Sequence, residues 1–424
     1  MGKIYFMCTR TIQSYHLFPG KGPLIFFFVA ILSVVSCRYS PADEQYGFIT
    51  RLGNDTISVE RITRQDNTVT IDCVDRFPAV RVRHAVIDLA SNGSIRHLVM
   101  NIHTPGEPAN QRERKVIADV TSDSVHISKT DGTGTLHRNF KTGGGLIVAH
   151  VPQMYSLYEI YFASALKQAA ASHSGTATPV QMKQFYIDRE FDRFPLGDVV
   201  VKPLGAGKAA IRHDWLSGTG EAVMDSSYHM LSYSGARSTY KVEVMRTTSA
   251  PDLKSIAARF ELLETERGSV KQLSVRDTVQ AKIGTADFSI YYGRPLMRGR
   301  KLLGGLLPYN LVWRTGANAA TQFSTSKPIK LAGMQVPAGK YTLWTVPHKG
   351  GVDLIVNRQT GQWGTYYDST KNLGIAAMNT LALPVAVEKF SISLHPVDQQ
   401  HGSLQMEWGF FRWTAPIEVL AAGK

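Results

Sequence analysis

The residues with the clearest chemical potential are arginines in the last third of the chain. Arg294, Arg298 and Arg300 lie within one short segment, and Arg314 follows closely. A guanidinium group is a planar fork of five donors that can hold a carboxylate or a phosphate through paired hydrogen bonds. Residues 285–424 contain 14 basic and 7 acidic side chains, a net charge of +7. This segment could therefore form an anion-binding cleft.

Neutral side chains close to these arginines could complete such a site. Asn318 and Asn357 can supply hydrogen bonds, Trp313 is a large apolar group beside Arg314, and Trp363 could stack on a sugar ring. The same arginines and asparagines would also suit a structural network that fixes the loops of a glycine-rich β-domain. Both interpretations are open from the sequence, and the structural network is the one we expect.

Motifs for metal binding and for nucleophilic catalysis do not occur in the sequence. There is no His-x-x-x-His pair, no Cys-x-x-Cys pair and no Gly-x-Ser-x-Gly elbow. His97 and His103 share a strand face but would stand about 20 Å apart, and we expect His84 to pair at the surface. We therefore assign no catalytic residue, metal or cofactor. The net charge is +13, but the basic residues are scattered, which does not favour a nucleic-acid partner.

The N-terminus predicts export and attachment to a membrane. Leu24–Val35 is apolar apart from Ser33, which is typical of a secretory signal and too short for a membrane span of about twenty residues. The run ends in Val-Val-Ser-Cys37, which resembles the lipobox of bacterial lipoproteins. Residues 1–36 are thus predicted to be a signal peptide, Cys37 a lipidation site and 37–45 a tether. The predicted location is the cell envelope, at the periplasmic face or the outer surface.

Short alternating runs separated by turn residues indicate that most of the chain is β-structure. Asn92-Gly93 is the strongest hairpin signal. Helical spacing appears only in Tyr155–Ala171 and from about Pro251 to Glu264. The sequence predicts a mainly β fold, with a large antiparallel sheet and a packed helix in 46–284, followed by a β-sandwich-like domain in 285–424.

Several strings in the last third carry a family resemblance. They are, in chain order, Tyr292-Gly-Arg-Pro295, Arg298-Gly-Arg-Lys301, Pro308-Tyr309, Val312-Trp-Arg-Thr-Gly-Ala-Asn318, Pro337-Ala-Gly-Lys-Tyr-Thr-Leu343, Asn357 and Gln362-Trp-Gly364. Together they resemble the family of domains of unknown function numbered 2911. Leu303 stands where an aromatic residue is common and Asn310 where glycine is common, although Asn tolerates left-handed backbone. The resemblance implies a compact, mainly β envelope domain and no particular reaction.

The sequence favours a non-enzymatic envelope module that binds a small anionic or sugar-like ligand, or an envelope partner. One alternative is a hydrolase acting on envelope material, which would need a pocket near Arg314 that holds a base and a nucleophile. Another is an acyl-chain or lipid carrier, which would need an open apolar concavity in the large sheet.

Overall fold

The computed structural model describes residues 44–77, 79–171, 178–187, 196–214, 216–267 and 273–420. The predicted signal peptide, Cys37 and most of the tether lie outside these residues. All described residues belong to one compact unit, Ala42–Lys424. Within the described part of the chain, the helices are too short or too polar to cross a membrane.

Two sheets and a few helices make up the described chain. The strands of the first sheet are β1 (Glu44–Leu52), β2 (Asp55–Gln65), β3 (Thr68–Asp75), β4 (Arg81–Leu89), β5 (Ile95–His103), β6 (Glu113–Val120), β7 (Ser124–Asp131), β8 (Gly134–Lys141), β9 (Leu146–His150), β10 (Val180–Tyr186), β11 (Leu196–Gly205), β12 (Lys208–His213), β13 (Gly220–Met224), β14 (Met230–Ser234) and β15 (Glu243–Thr247). The α-helices are α1 (Ala109–Arg112), α2 (Tyr155–Ala171) and α3 (Leu253–Arg267). The strands of the second sheet are β16 (Val275–Ile283), β17 (Ala286–Arg294), β18 (Thr321–Thr325), β19 (Ile329–Leu331), β20 (Met334–Val336), β21 (Gly339–His348), β22 (Gly351–Asn357), β23 (Asn372–Pro396) and β24 (His401–Val419).

The first sheet is built from two runs of hairpin-connected strands that meet where β1 pairs with β15. Its order is β8-β7-β6-β5-β4-β3-β2-β1-β15-β14-β13-β12-β11-β10-β9. The pairs are antiparallel except β9 with β10, which are parallel. This one departure from the expected antiparallel sheet has a physical reason: α2 connects β9 to β10, and a helical crossover returns the chain in the same direction.

Helix α2 packs against the first sheet and contributes to its core. Ten of its residues, from Tyr155 to Ala165, are buried, and they lie on every face of the helix. A helix that is apolar all round must be enclosed, and the sheet curls around it so that Ile147 on β9 donates to Ser94 beside β5 over 3.2 Å. The buried residues of α2 therefore occupy space beside the first sheet that an acyl chain would otherwise need.

A buried carboxylate fixes the start of α2. Glu60 on β2 accepts hydrogen bonds from the backbone N–H of Tyr155 at 2.6 Å and of Ser156 at 3.1 Å. A negative charge at this position satisfies the free N–H groups and complements the helix dipole. Burial raises the pKa of Glu60 to about 7, although the hydrogen bonds from Ser156 and Tyr155 act in the opposite direction.

The second sheet curls back on itself. Its order is β16-β17-β18-β21-β22-β23-β24-β19-β20. Tyr292 on β17 packs edge-to-face on Phe390 of β23 with ring centroids 5.8 Å apart, so distant strands face each other across a core. The expected fold class is confirmed: a large, almost entirely antiparallel sheet with a helix precedes a second, separate sheet. The boundary at residue 285 stays a prediction, and the hairpin of β16 and β17 spans it.

Candidate functional site

The loop 295–320 between β17 and β18 carries most of the predicted site residues. It is fixed to the sheet by a two-way backbone pairing, in which Trp313 N donates to Thr345 O at 2.7 Å and Thr345 N donates to Trp313 O at 2.9 Å. The Trp313 ring stacks on Trp408 and meets Phe390 edge-on, with centroids 5.5 and 5.0 Å apart. Trp313 is therefore a structural anchor that holds its neighbour Arg314 in place.

Close packing against two glycines holds Arg314 and its loop in place. A Cβ added to Gly364 would lie 2.1 Å from Cδ of Arg314, and one added to Gly293 would lie 2.3 Å from the carbonyl oxygen of Ala317. Three of the family-like strings thus meet around this arginine. The next residue, Thr315, is buried and has φ of +51°, which is strained for a β-branched side chain.

Arg294 and Asn357 each form hydrogen bonds with other parts of the second sheet and its loops. Arg294 donates to Asp277 at 2.9 Å and to the carbonyl oxygen of Phe390 at 3.0 Å. Asn357 is fully buried and donates to the carbonyl oxygen of Asp368 and to Oδ1 of Asn372, both at 2.8 Å. Their polar groups are hydrogen-bonded within the fold, and neither residue lines the cleft described below.

Arg298 ties the two sheets together. Its guanidinium forms an ion pair with Asp55 of β2 and lies over the Phe77 ring, 5.6 Å from the centroid. Its carbonyl oxygen also accepts a 3.0 Å hydrogen bond from Asn54 N in the turn between β1 and β2. The seam between the sheets is therefore a defined packing contact, with Arg298 at its centre.

Three other cations at this seam have no ion pair with any described residue. Arg314 forms no side-chain hydrogen bond within the described chain, and its Nε is shielded from solvent without a partner there. Arg300 donates only to the carbonyl oxygens of Met297 and Leu296, at 2.8 and 2.9 Å. Lys241 comes from the loop between β14 and β15 and donates to the carbonyl oxygen of Ala236 at 2.7 Å. The carboxylate partner that a structural Arg314 would require is not found among the described residues.

The pKa of each of these three cations is lowered, and burial is the largest cause in each case. Burial lowers the pKa of Arg314 below its ordinary value, and no opposing charge offsets this effect. Burial, followed by the charges of Arg300 and Arg314, lowers the pKa of Lys241. Burial and the neighbouring Arg298 lower the pKa of Arg300 to about 10, although Glu388 and Asp55 act in the opposite direction. A bound anion would raise the pKa of all three cations, because a nearby negative charge favours their protonated forms.

These cations line a cleft at the seam, which we call the seam cleft. Its smaller lobe has a volume of about 160 Å³. The ionisable side chains in its wall are Tyr240, Lys241, Arg298, Arg300 and Arg314. Trp313 and Asn318 also line it, and Asn318 has the left-handed φ of +65° that asparagine tolerates. The lobe therefore presents cations, a phenol and an amide.

Other predicted residues lie away from this cleft. Trp363 is 46% exposed and is not part of the cleft wall. His84 and His97 pair with Asp72 and Asp119, each at 2.7 Å, and His103 pairs with Glu113. In the described ranges, no three His, Cys, Asp or Glu side chains are placed to hold a metal ion.

Sequence reasoning missed the contribution of the first sheet to this site. Lys241 and Thr239 lie far from the arginine-rich loop in sequence, yet they line the same cleft. No local pattern marks Lys241, because its role depends on how the two sheets pack. A charged residue in a Gly/Ser-rich loop is otherwise typical of a solvated surface.

Comparisons with known proteins agree with the strings that surround Arg314. Residues 274–417 match the model of DUF2911, a protein family of unknown function. This match confirms the resemblance and covers the C-terminal third of the chain. The curated proteins contain no match to the chain. A crystal structure of a DUF1089 family protein from Pseudomonas aeruginosa, at 1.80 Å resolution, aligns with 11% identity over 43% of this chain and 92% of that one. Its TM-score of 0.32 does not establish a shared fold.

Proposed function

We propose that the protein is a non-enzymatic module that binds a small anion in the seam cleft. The observation that carries this proposal is the meeting of Lys241, Arg300 and Arg314 without an ion pair to any described residue. Grouping partly buried cations without an ion pair costs free energy, so such a cluster is expected where a bound anion supplies the missing negative charge. The strain at Thr315, next to Arg314, supports the same interpretation.

The ionisable lining also bears on the hydrolase alternative. A hydrolase needs a base within hydrogen-bond reach of its nucleophile. The described side chains that line the smaller lobe are cationic, phenolic, amide, hydroxyl or apolar, and none of them is a carboxylate or an imidazole. The described lining of the smaller lobe thus lacks the histidine and carboxylate bases on which hydrolases most often rely, which supports binding at the seam cleft.

Calorimetric titration with inorganic phosphate at low ionic strength tests the proposal. The wild-type protein should bind phosphate, and Arg314→Gln or Lys241→Met should weaken binding about tenfold or more, because each removes a charge-assisted hydrogen bond. Arg138→Gln, which removes an exposed cation from β8, is the matched control and should leave binding unchanged. Equal affinities in wild type and Arg314→Gln would refute the site.

We further propose that Cys37 anchors the module to a membrane of the cell envelope, which would place the cleft close to envelope ligands. The apolar run before Cys37 supports this proposal. Because acyl chains contribute about 0.8 kcal/mol per buried CH₂, Cys37→Ser should move the protein from the membrane fraction to the soluble fraction. A native protein whose intact mass includes no acyl group would exclude the anchor.

A further inference from the structure

The seam cleft has a second, larger lobe beside the cationic one. Its volume is about 770 Å³, within the range of sites that bind small organic molecules. The two lobes share the residues Thr239, Lys241, Leu306, Leu307, Trp313 and Arg314. They are therefore neighbouring parts of one cleft, and Lys241 and Arg314 stand where the parts meet.

One wall of the larger lobe is apolar. Leu306, Pro308, Leu311, Val312 and Trp313 come from the same arginine-bearing loop, and Trp344 and Tyr367 extend the wall. Leu311 is 59% exposed and Val312 is 41% exposed. Exposed aliphatic groups next to a partly buried aromatic surface gain free energy when an apolar body covers them.

Other residues that line the larger lobe are small and polar. They are Ser217, Gly218, Thr219 and Ser238, and the charged side chain next to them, Arg237, is paired with Glu221 at 3.1 Å. The larger lobe thus combines an apolar wall with hydroxyl groups, and its unpaired cations lie at the end next to the smaller lobe. A ligand that fits both lobes carries its negative charge at one end.

We propose that the seam cleft binds an anionic amphiphile, with a phosphate or carboxylate head against Arg314, Arg300 and Lys241 and an apolar body along Leu311, Val312 and Trp313. This inference rests on the proposed anion site and adds the class of ligand to it. An inorganic anion would leave the apolar wall in contact with water. A neutral apolar compound would leave the cations uncompensated.

A series of phosphate esters tests both lobes in the intact protein. Inorganic phosphate, ethyl, butyl, hexyl and octyl phosphate, all below their micelle concentrations, are titrated calorimetrically. We expect the dissociation constant to fall about two- to fourfold for each added methylene until the apolar wall is covered. 1-Octanol, which has the chain but no charge, should bind at least about tenfold more weakly than octyl phosphate.

Matched variants locate the two ends of the ligand. Arg314→Gln should weaken the binding of every phosphate in the series. Leu311→Ser removes apolar surface without adding a charge, and should reduce the gain per methylene by about half. Leu262→Ser on α3 is the control, because Leu262 is 56% exposed, similar to Leu311; its affinities should equal those of the wild type.

The outcomes separate this inference from the anion site itself. Phosphate binding that does not strengthen with chain length would overturn the amphiphile and leave the anion site standing. A chain-length dependence that Leu311→Ser leaves intact would overturn the placement of the apolar body. Failure of the whole series to bind would overturn both proposals.

Discussion

Charged side chains in the first sheet and at the seam differ in whether they have a counter-charge. Inside the first sheet, Glu159 of α2 is fully buried and is paired with Arg64 at 2.7 Å and with Arg246 at 3.3 Å. At the seam, Arg314 and Lys241 have no anion within reach among the described residues. The cations at the seam differ from those of the first sheet because they have no counter-charge among the described residues, and the proposed anion site rests on this difference.

The same contrast appears in the pKa values of two arginines. Burial alone would lower the pKa of Arg64, but Tyr46 and Glu159 raise it above its ordinary value. Burial also lowers the pKa of Arg314, and nothing opposes it. Arg64 therefore belongs to a network in which opposite charges compensate each other. Arg314 has no counter-charge among the described residues.

The largest loss of stability is expected from removing Glu159, the shared carboxylate of Arg64 and Arg246. Glu159→Ala leaves Arg64 and Arg246 without their shared carboxylate and removes the acceptor of Tyr46 and Met230 N. We expect the free energy of unfolding to fall by about 3–5 kcal/mol, measured by chemical denaturation. Glu261→Ala on the exposed face of α3 is the control. A Glu159→Ala protein as stable as that control would show that the ion pairs of Glu159 do not stabilise the first sheet.

Glu60 predicts a pH dependence of stability within the first sheet. Burial raises the pKa of Glu60 from the ordinary 4.5 to about 7, so Glu60 stays protonated to a higher pH in the folded state than in the unfolded state. Protonated Glu60 contributes about 3 kcal/mol to the free energy of unfolding. This contribution is fully present below about pH 4.5 and is lost as the pH rises to about 7. Glu60→Gln carries no titrating group, so the difference in unfolding free energy between wild type and variant should change over this window. Parallel pH profiles would contradict the assignment.

Two partly buried arginines, one with ion pairs and one with none among the described residues, should differ in how much they contribute to stability. Arg246 is 14% exposed, forms ion pairs with Glu44 and Glu159, and lies over the Tyr46 ring. Arg246→Ala should therefore cost about 2–4 kcal/mol. Arg314→Ala, in the absence of an anion, should change the unfolding free energy by less than about 1 kcal/mol, because no partner is left unsatisfied. Equal, large losses in both variants would mean that Arg314 is structural.

Much of the fold was predictable because local patterns agree with it. Asn92-Gly93 marks the connection of β4 and β5, and Tyr155–Ala171 is helical over the predicted range. Strand β9 has no recognisable pattern, because all five of its residues are buried and alternation is lost. Its parallel pairing with β10 depends on the crossover through α2, which periodicity does not reveal.

The candidate site was only partly predictable for a related reason. The sequence indicates the arginines but not which of them find carboxylates. Arg294 and Arg298 find Asp277 and Asp55, whereas Arg314 finds none among the described residues. That distinction depends on tertiary packing, as does the arrival of Lys241 from the first sheet. Asn310 has φ of +62°, so its predicted tolerance of left-handed backbone is confirmed.

The most direct test of the seam cleft is an anomalous difference map from a crystal grown with selenate, a tetrahedral dianion that resembles phosphate. We expect a selenium peak in the smaller lobe, with selenate oxygens about 3 Å from the side-chain nitrogens of Arg314 and Lys241. The same crystal form of Arg314→Gln should lack this peak. A cleft without selenate, or one in which a carboxylate of the protein itself neutralises Arg314, would exclude the anion site.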